Sequence, residues 1–242
     1  RVIVLDPNAN LILQNDSSIC EGDSILIAPL DQGDFSTYSW IPNSSNYISD
    51  PAIRTPYLKP PDTTLFILTV SNYCYQKSDS IDVIVFPKPD VGLIALDSIC
   101  IGQTYQFMSN PSHISYTWVT GEPSFSNTSI YNPTAEPKTS QIYVLHVIDT
   151  HNCKNTDSIQ LNVNPIPYTS VLGNPRFMCQ RDTIELSLLT NQESEYKWRT
   201  SPYLSFDTGR LVKAFPFDTT EFYFHVTNIH DCTFEDSFYV NV

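Results

Sequence analysis

The sequence repeats with a period of about 79 residues, and that period constrains the fold more than any other feature. Three cysteines, Cys20, Cys100 and Cys179, stand 80 and 79 residues apart. Three tryptophans, Trp40, Trp118 and Trp198, stand 78 and 80 apart, each closing a Tyr-x-Trp triplet. A second cysteine set, Cys74, Cys153 and Cys232, is spaced 79 and 79. A period kept this closely over three copies marks an array of equivalent modules. It argues against one large core. Units near 80 residues have small cores, and cross-links then add usefully to stability.

Each module reads as β. Val, Ile, Thr and Tyr dominate the periodic segments, and no stretch carries the spacing of an amphipathic helix. The 18 prolines fall between the β-rich runs, where a missing N–H does no harm. In the first module strand A is expected near Asn10–Gln14, B near Ser24–Ala28 and C near Thr37–Ile41. One or two strands fall between Tyr47 and Leu58, followed by F at Leu65–Ser71 and G at Ser80–Phe86. Strand F is apolar on both sides, so alternation does not choose its inner face. A tryptophan on strand C, between two cysteines, resembles the core plug of an immunoglobulin-type sandwich. Trp40, Trp118 and Trp198 are therefore expected in the cores, with stacking on a ligand as the alternative.

The expected fold class is all-β: a tandem, elongated array of three small antiparallel sandwiches. The expected boundaries are 6–87, 88–165 and 166–242. Residues 1–5 align with the last strand of a preceding repeat, since "VIVLDPNANLILQNDSSIC" matches "VIVFPKPDVGLIALDSIC" with one insertion. That alignment, and an opening that lacks a signal peptide, lead to the expectation of a window from a longer mature array. Proline-bearing linkers at 86–90 and 164–168 are expected to be stiff and extended.

The charge narrows the partners. Asp and Glu number 26 against 13 Lys and Arg, a net charge of −13. Such a surface repels nucleic acid and anionic lipid. No apolar run approaches the ~18 residues that would span a bilayer. Neither a nucleic-acid partner nor membrane insertion is expected. Six cysteines, two per repeat and without a close C-x-x-C pair, fit an oxidising compartment better than zinc.

The segments "ICEGDSILIAP", "YSWIP", "PPDTTLFILTVSNYC" and "DSIDVIVFP" resemble the tandem PKD-like or Ig-like repeats of Bacteroidota cell-surface proteins. The style is closest to gliding-motility adhesins of the SprB kind, exported by type IX secretion. The third repeat departs at "MCQRD", which lacks the glycine of "CEGD" and "CIGQ". The resemblance implies an extracellular stalk or filament at the cell surface. Its expected partners are neighbouring repeats of the same chain and the cell-surface motility and secretion machinery, with extracellular polysaccharide a further candidate. A glycan- or protein-binding module, and an accessory region of a secreted enzyme, are the competing readings. The loops "LDQGDFSTY", "SNPSHISY" and "TNQESEY" differ between repeats, which counts against a common ligand.

A catalyst needs a constellation in one place. His151 and His230 precede the second cysteines, yet Tyr73 stands there in the first repeat, so they read as turn residues. No nucleophile recurs beside them, and no enzyme activity and no cofactor are expected. Calcium would draw on Asp79 and Asp82, or on Asp31 and Asp34, but the EF-hand pattern is absent and no metal site is expected. Asp followed by Ser or Thr recurs. Such pairs open strands by satisfying turn backbone, and they also resemble the O-glycosylation sequon of exported Bacteroidota proteins. Ser24, Thr63, Ser80, Ser98, Ser158, Thr183 and Thr219 are the candidate acceptors.

Both cysteines of a repeat are expected in turns outside the strands. If three strands intervene between B and F, those two strands run the same way. Cys20 and Cys74 then lie at opposite ends of one module, too far apart to bond. Pairing across the joints follows: Cys20–Cys153 and Cys100–Cys232, with Cys74 and Cys179 reaching to neighbouring repeats. One strand fewer would instead give Cys20–Cys74, Cys100–Cys153 and Cys179–Cys232.

Overall fold

The computed structural model describes residues 11–242 apart from 12, 14, 33–35, 95–97, 120–124 and 173–176. The described residues form strands and turns and no helix. They build three Ig-like sandwiches in tandem.

The first sandwich contains β1 (Ser17–Cys20), β2 (Ile25–Leu26), β3 (Thr37–Ile41), β4 (Tyr57–Leu58), β5 (Thr64–Ser71) and β6 (Gln76–Phe86). One sheet runs β1-β6-β5-β3 and the other pairs β2 with β4. The second sandwich repeats this with β7 (Ser98–Cys100), β8 (Tyr105–Gln106), β9 (Ser115–Val119), β10 (Thr134–Ala135), β11 (Gln141–Ile148) and β12 (Lys154–Asn164). Its sheets are β7-β12-β11-β9 and β8-β10. The third has β13 (Thr169–Leu172), β14 (Ile184–Thr190), β15 (Ser194–Trp198), β16 (Leu211–Ala214), β17 (Thr220–Asn228) and β18 (Thr233–Val240). Its sheets are β13-β14-β16 and β15-β17-β18.

Three separate hydrophobic clusters fill the three sandwiches. The face of strand F that alternation left open is settled by burial. Phe66, Leu68 and Val70 are fully buried, while Leu65 and Ile67 face outward. Tyr143, Leu145 and Val147 repeat the arrangement, and so do Phe222, Phe224 and Val226. The tryptophans sit in these cores with 1%, 3% and 3% of their surface exposed. Each indole N–H finds a carbonyl, on Ile53, Ile130 and Gly209, at 3.0, 2.9 and 3.0 Å. A buried donor without a partner would cost ~1–3 kcal/mol.

Several expectations need correction. Of the expected strand A, residues 10, 12 and 14 lie outside the described residues, and Leu11 and Leu13 belong to no strand. Leu13 is nevertheless buried, and its N–H donates to Asp79 Oδ2 at 2.8 Å. The pairing strand is β1, four residues later, which lies parallel to β6. Its sequence, SSIC, has no alternation to reveal it. Strand B shrinks to Ile25–Leu26, and G starts at Gln76, four residues early. Cys20 and Cys100 are not in turns: they are the last residues of β1 and β7. The residues 1–5 expected to end a preceding repeat, and Asp34, lie outside the described residues.

Parallel pairing fixes where the cysteines stand. Cys20 lies opposite Phe86, where β6 leaves its sandwich, and Cys100 lies opposite Asn164 at the end of β12. Cys74 sits in the turn before β6, and Cys153 immediately before β12. An 11-residue strand separates the two ends, roughly 35 Å. Bonded cysteines need Cα atoms within ~7 Å, so the cysteines of one sandwich do not meet.

Candidate functional site

The two joints between sandwiches hold the densest recurrent chemistry. Cys20 is bonded to Cys153 across the first joint and Cys100 to Cys232 across the second, with Cα separations of 5.4 and 5.6 Å. Both fall in the usual range for disulfides. Cys153 and Cys232 are fully buried, while Cys74 and Cys179 are free and exposed.

The backbone of each first cysteine turns back at once. Asp23 N donates to Cys20 O, Gln103 N to Cys100 O and Asp182 N to Cys179 O, at 2.9, 3.0 and 3.1 Å. The third residue of each turn has positive φ: Gly22 at 87°, Gly102 at 85° and Arg181 at 74°. The Cys-x-Gly signal thus marks a left-handed position, and the third repeat keeps that conformation with an arginine.

Each second cysteine is held by a side chain ahead of it. Asp149 Oδ1 accepts from the N–H groups of His151 and Cys153, and Asn228 Oδ1 from those of His230 and Cys232. In the first sandwich Asn72 Oδ1 accepts from Cys74 and Tyr75. The turns also grip the linkers. Asn155 Nδ2 donates to Pro89 O at 2.8 Å, and Asn228 Nδ2 to Pro165 O at 2.9 Å. At the first joint the His151 ring stacks on Phe86, centroids 3.8 Å apart. Sequence reasoning missed these supports. An Asp or Asn two to four residues before each second cysteine was the available signal.

The candidate sugar acceptors Ser24, Thr63, Ser80, Ser98, Ser158, Thr183 and Thr219 are all exposed. Several have local backbone roles. Thr63 Oγ1 accepts from Val85 N and Thr219 Oγ1 from Val242 N, and Ser140 fills this place in the second repeat, accepting from Val163 N. Asp79, Asp157 and Asp236 each accept from the N–H of the serine that follows. Of the calcium candidates, Asp79 is thus engaged by backbone donors and Asp31 pairs with Arg54 at 3.2 Å. Among the described residues no three His, Cys, Asp or Glu side chains are grouped so as to hold a metal ion. The histidines are dispersed: His113 contacts Asp90 O, His146 Thr156, and His225 both Glu235 and Thr227.

The outer face of the third sandwich differs from the others. Glu221 accepts from Tyr223, Ser237 and Tyr239 hydroxyls at 2.6, 2.7 and 3.1 Å. Those bonds, the one from Tyr223 first, hold its carboxyl below the ordinary range and raise both phenols above theirs. Arg199 lies over the Tyr223 ring at 5.3 Å, beside a shallow hollow of about 590 Å³. At matched ladder positions the first two sandwiches carry Leu65 opposite Asp82 and Ile142 opposite Gln160, where the third has Glu221 opposite Tyr239.

No family model matches the chain, and no curated protein matches it. Solved structures with tandem Ig domains do. The I-band fragment I67–I69 of titin is 14% identical, with 95% of this chain and 97% of that one covered and a TM-score of 0.42. Extracellular domains 3–5 of Drosophila OTK are 10% identical, covering 94% and 95% at 0.37. The N-terminal eight Ig domains of the Down Syndrome Cell Adhesion Molecule are 11% identical, covering 96% and 36% at 0.39. At such values the strand pairing and the three cores carry the fold assignment.

Proposed function

We propose that the chain is a run of non-catalytic spacer repeats, bounded at 6–87, 88–165 and 166–242, from a long secreted cell-surface adhesin or filament. The carrying observation is the cross-linking of consecutive sandwiches at both joints. A bond that ties one module to the next resists bending and pulling at the weakest points of an array. A loop of 133 or 132 residues closed in this way is worth about 5 kcal/mol in the chain-entropy account. The motif resemblance supports a Bacteroidota gliding adhesin of the SprB kind, exported by type IX secretion. The exposed Asp-Ser and Asp-Thr positions are compatible with O-glycans, whose bulk would protect the surface.

Antibodies against this chain test the placement. They should decorate intact cells of the source organism and slow their movement over a surface. Staining that appears only after lysis would overturn the reading.

One observation favours a second reading, a glycan-binding role confined to the third sandwich. Exposed Tyr223 and Tyr239, with Glu221 and Arg199, offer ring faces beside charged hydrogen-bonding groups. Glycan-array binding lost in Tyr223→Ala would support it, and an empty array would remove it.

A further inference from the structure

We propose that the outer face of the third sandwich holds an oxidative modification site, at which Tyr223 and Tyr239 become joined ring to ring by a carbon–carbon bond.

Both phenols point at one atom. Tyr223 donates its hydroxyl to Glu221 Oε2 at 2.6 Å, and Tyr239 donates to the same oxygen at 3.1 Å. Ser237 donates to the other carboxylate oxygen, Oε1, at 2.7 Å and fixes the rotation of the group. The ladder between β17 and β18 sets this up. Glu221 lies opposite Tyr239 and Tyr223 opposite Ser237, so the two tyrosines are diagonal neighbours on one face. Diagonal positions of an antiparallel pair stand ~7–8 Å apart, within reach of aromatic side chains. Both residues are open to solvent, 41% and 57% exposed. The matched positions of the other sandwiches, Leu65, Ile67 and Asp82, then Ile142, Val144 and Gln160, hold no phenol.

The arrangement suits phenol coupling. A bond between ortho carbons leaves the two hydroxyls side by side, and one carboxylate oxygen already draws these hydroxyls together. A phenol gives up an electron most readily when its proton leaves at the same moment. Glu221 is the acceptor for that proton. Its carboxyl is held below the ordinary range, by the Tyr223 hydrogen bond first, and is therefore ionised. The Arg199 guanidinium lies 5.3 Å from the centre of the Tyr223 ring. A cation there opposes a positively charged ring, so the electron leaves only with the proton.

Tyr116 and Tyr131 supply an internal contrast. Their ring centroids are 6.3 Å apart, but Tyr116 donates its hydroxyl to the backbone carbonyl of Asn110. An amide oxygen is a far poorer proton acceptor than a carboxylate.

The oxidant is hydrogen peroxide acting through a haem peroxidase. Disulfides like those at the joints persist in oxidising surroundings, where peroxide also reaches exposed side chains. One electron leaves Tyr223 for the peroxidase while the phenol proton passes to Glu221, which returns it to water. A second electron and proton leave Tyr239 in the same way. The two phenoxyl radicals pair to form one bond between ortho carbons. Each of those carbons then gives up its hydrogen as a proton, and each phenol oxygen takes one back. In all, the two tyrosines lose two electrons and two protons, and one hydrogen peroxide becomes two waters.

The test treats the full 242-residue chain, with its disulfides intact, with a haem peroxidase and limiting hydrogen peroxide. Monomer is then isolated, and dityrosine is read by fluorescence and by peptide mapping. Tyr223–Tyr239 should be the main cross-link among the 14 tyrosines, ahead of Tyr116–Tyr131. Tyr239→Phe should remove most of the monomer fluorescence. Glu221→Gln, which keeps an acceptor oxygen but is a poor base, should slow the coupling at least ~10-fold, since a positioned base contributes that much or more to proton transfer. A dominant Tyr116–Tyr131 product, cross-links found only between molecules, or an unchanged rate in Glu221→Gln would each overturn the proposal.

Discussion

At the residue scale the turn after each first cysteine offers a controlled comparison. Gly22, Gly102 and Arg181 all have positive φ. A Cβ added at Gly22 or Gly102 would meet nothing within 4 Å, so any penalty there is conformational and not steric. An L-residue in the left-handed region costs ~1–2 kcal/mol, partly offset because glycine has more freedom to lose on folding. Gly22→Ala should therefore destabilise the first sandwich by about 1 kcal/mol. Arg181→Gly should stabilise the third by a similar amount. Chemical denaturation of the intact oxidised chain measures both, and a loss of stability in Arg181→Gly would contradict the account. The missing glycine of "MCQRD" was legible as a departure, but no residue near it signals that the turn keeps its conformation.

At the element scale strand F shows how far alternation goes. Leu65-Phe66-Ile67-Leu68 is apolar on both sides because β5 lies inside a sheet whose outer face also carries aliphatic residues. Only the opposing layer, with Leu58 of β4 and Ile27 just after β2, decides which side is dry. Leu68→Ala should cost about 3 kcal/mol through lost burial and a cavity. Ile67→Ala, on the outer face, should cost less than about 1 kcal/mol. Thermal unfolding of the two variants checks this, and equal losses would contradict the assigned face. β1 illustrates the opposite difficulty. Its four residues gain their conformation from parallel pairing with β6 and not from any pattern of their own. The exposed pair formed by Ile41 and Ile67 stands on the same outer face as Leu65.

At the scale of the whole molecule the two cross-links overlap along the chain, since Cys100 lies between Cys20 and Cys153. A pulling force applied at the termini then has a covalent path that crosses from Cys20 to Cys153, runs back along the chain to Cys100 and crosses to Cys232, so only the stretch between Cys100 and Cys153 is extended between the two staples. Single-molecule stretching should release about 550 Å less contour length from the oxidised chain than from the reduced one, at ~3.5 Å per residue. Identical contour lengths would mean that the joints are not stapled under load. Linkage of this kind lets each sandwich remain small while the joint, instead of a large core, carries the strain.

The sequence by itself determined the number of modules, the all-β class and the Trp positions. Period, composition and turn residues are local properties that survive without knowledge of contacts. The cysteine spacing left two pairings open, because their choice depends on strand direction and on where each strand stops. The tertiary structure decided the outer ladder residues that set the third sandwich apart, the inner face of strand F and the linker carbonyls taken by Asn155 and Asn228. Each of those depends on atoms brought together from distant positions in the chain, and a one-dimensional pattern does not encode which distant group arrives.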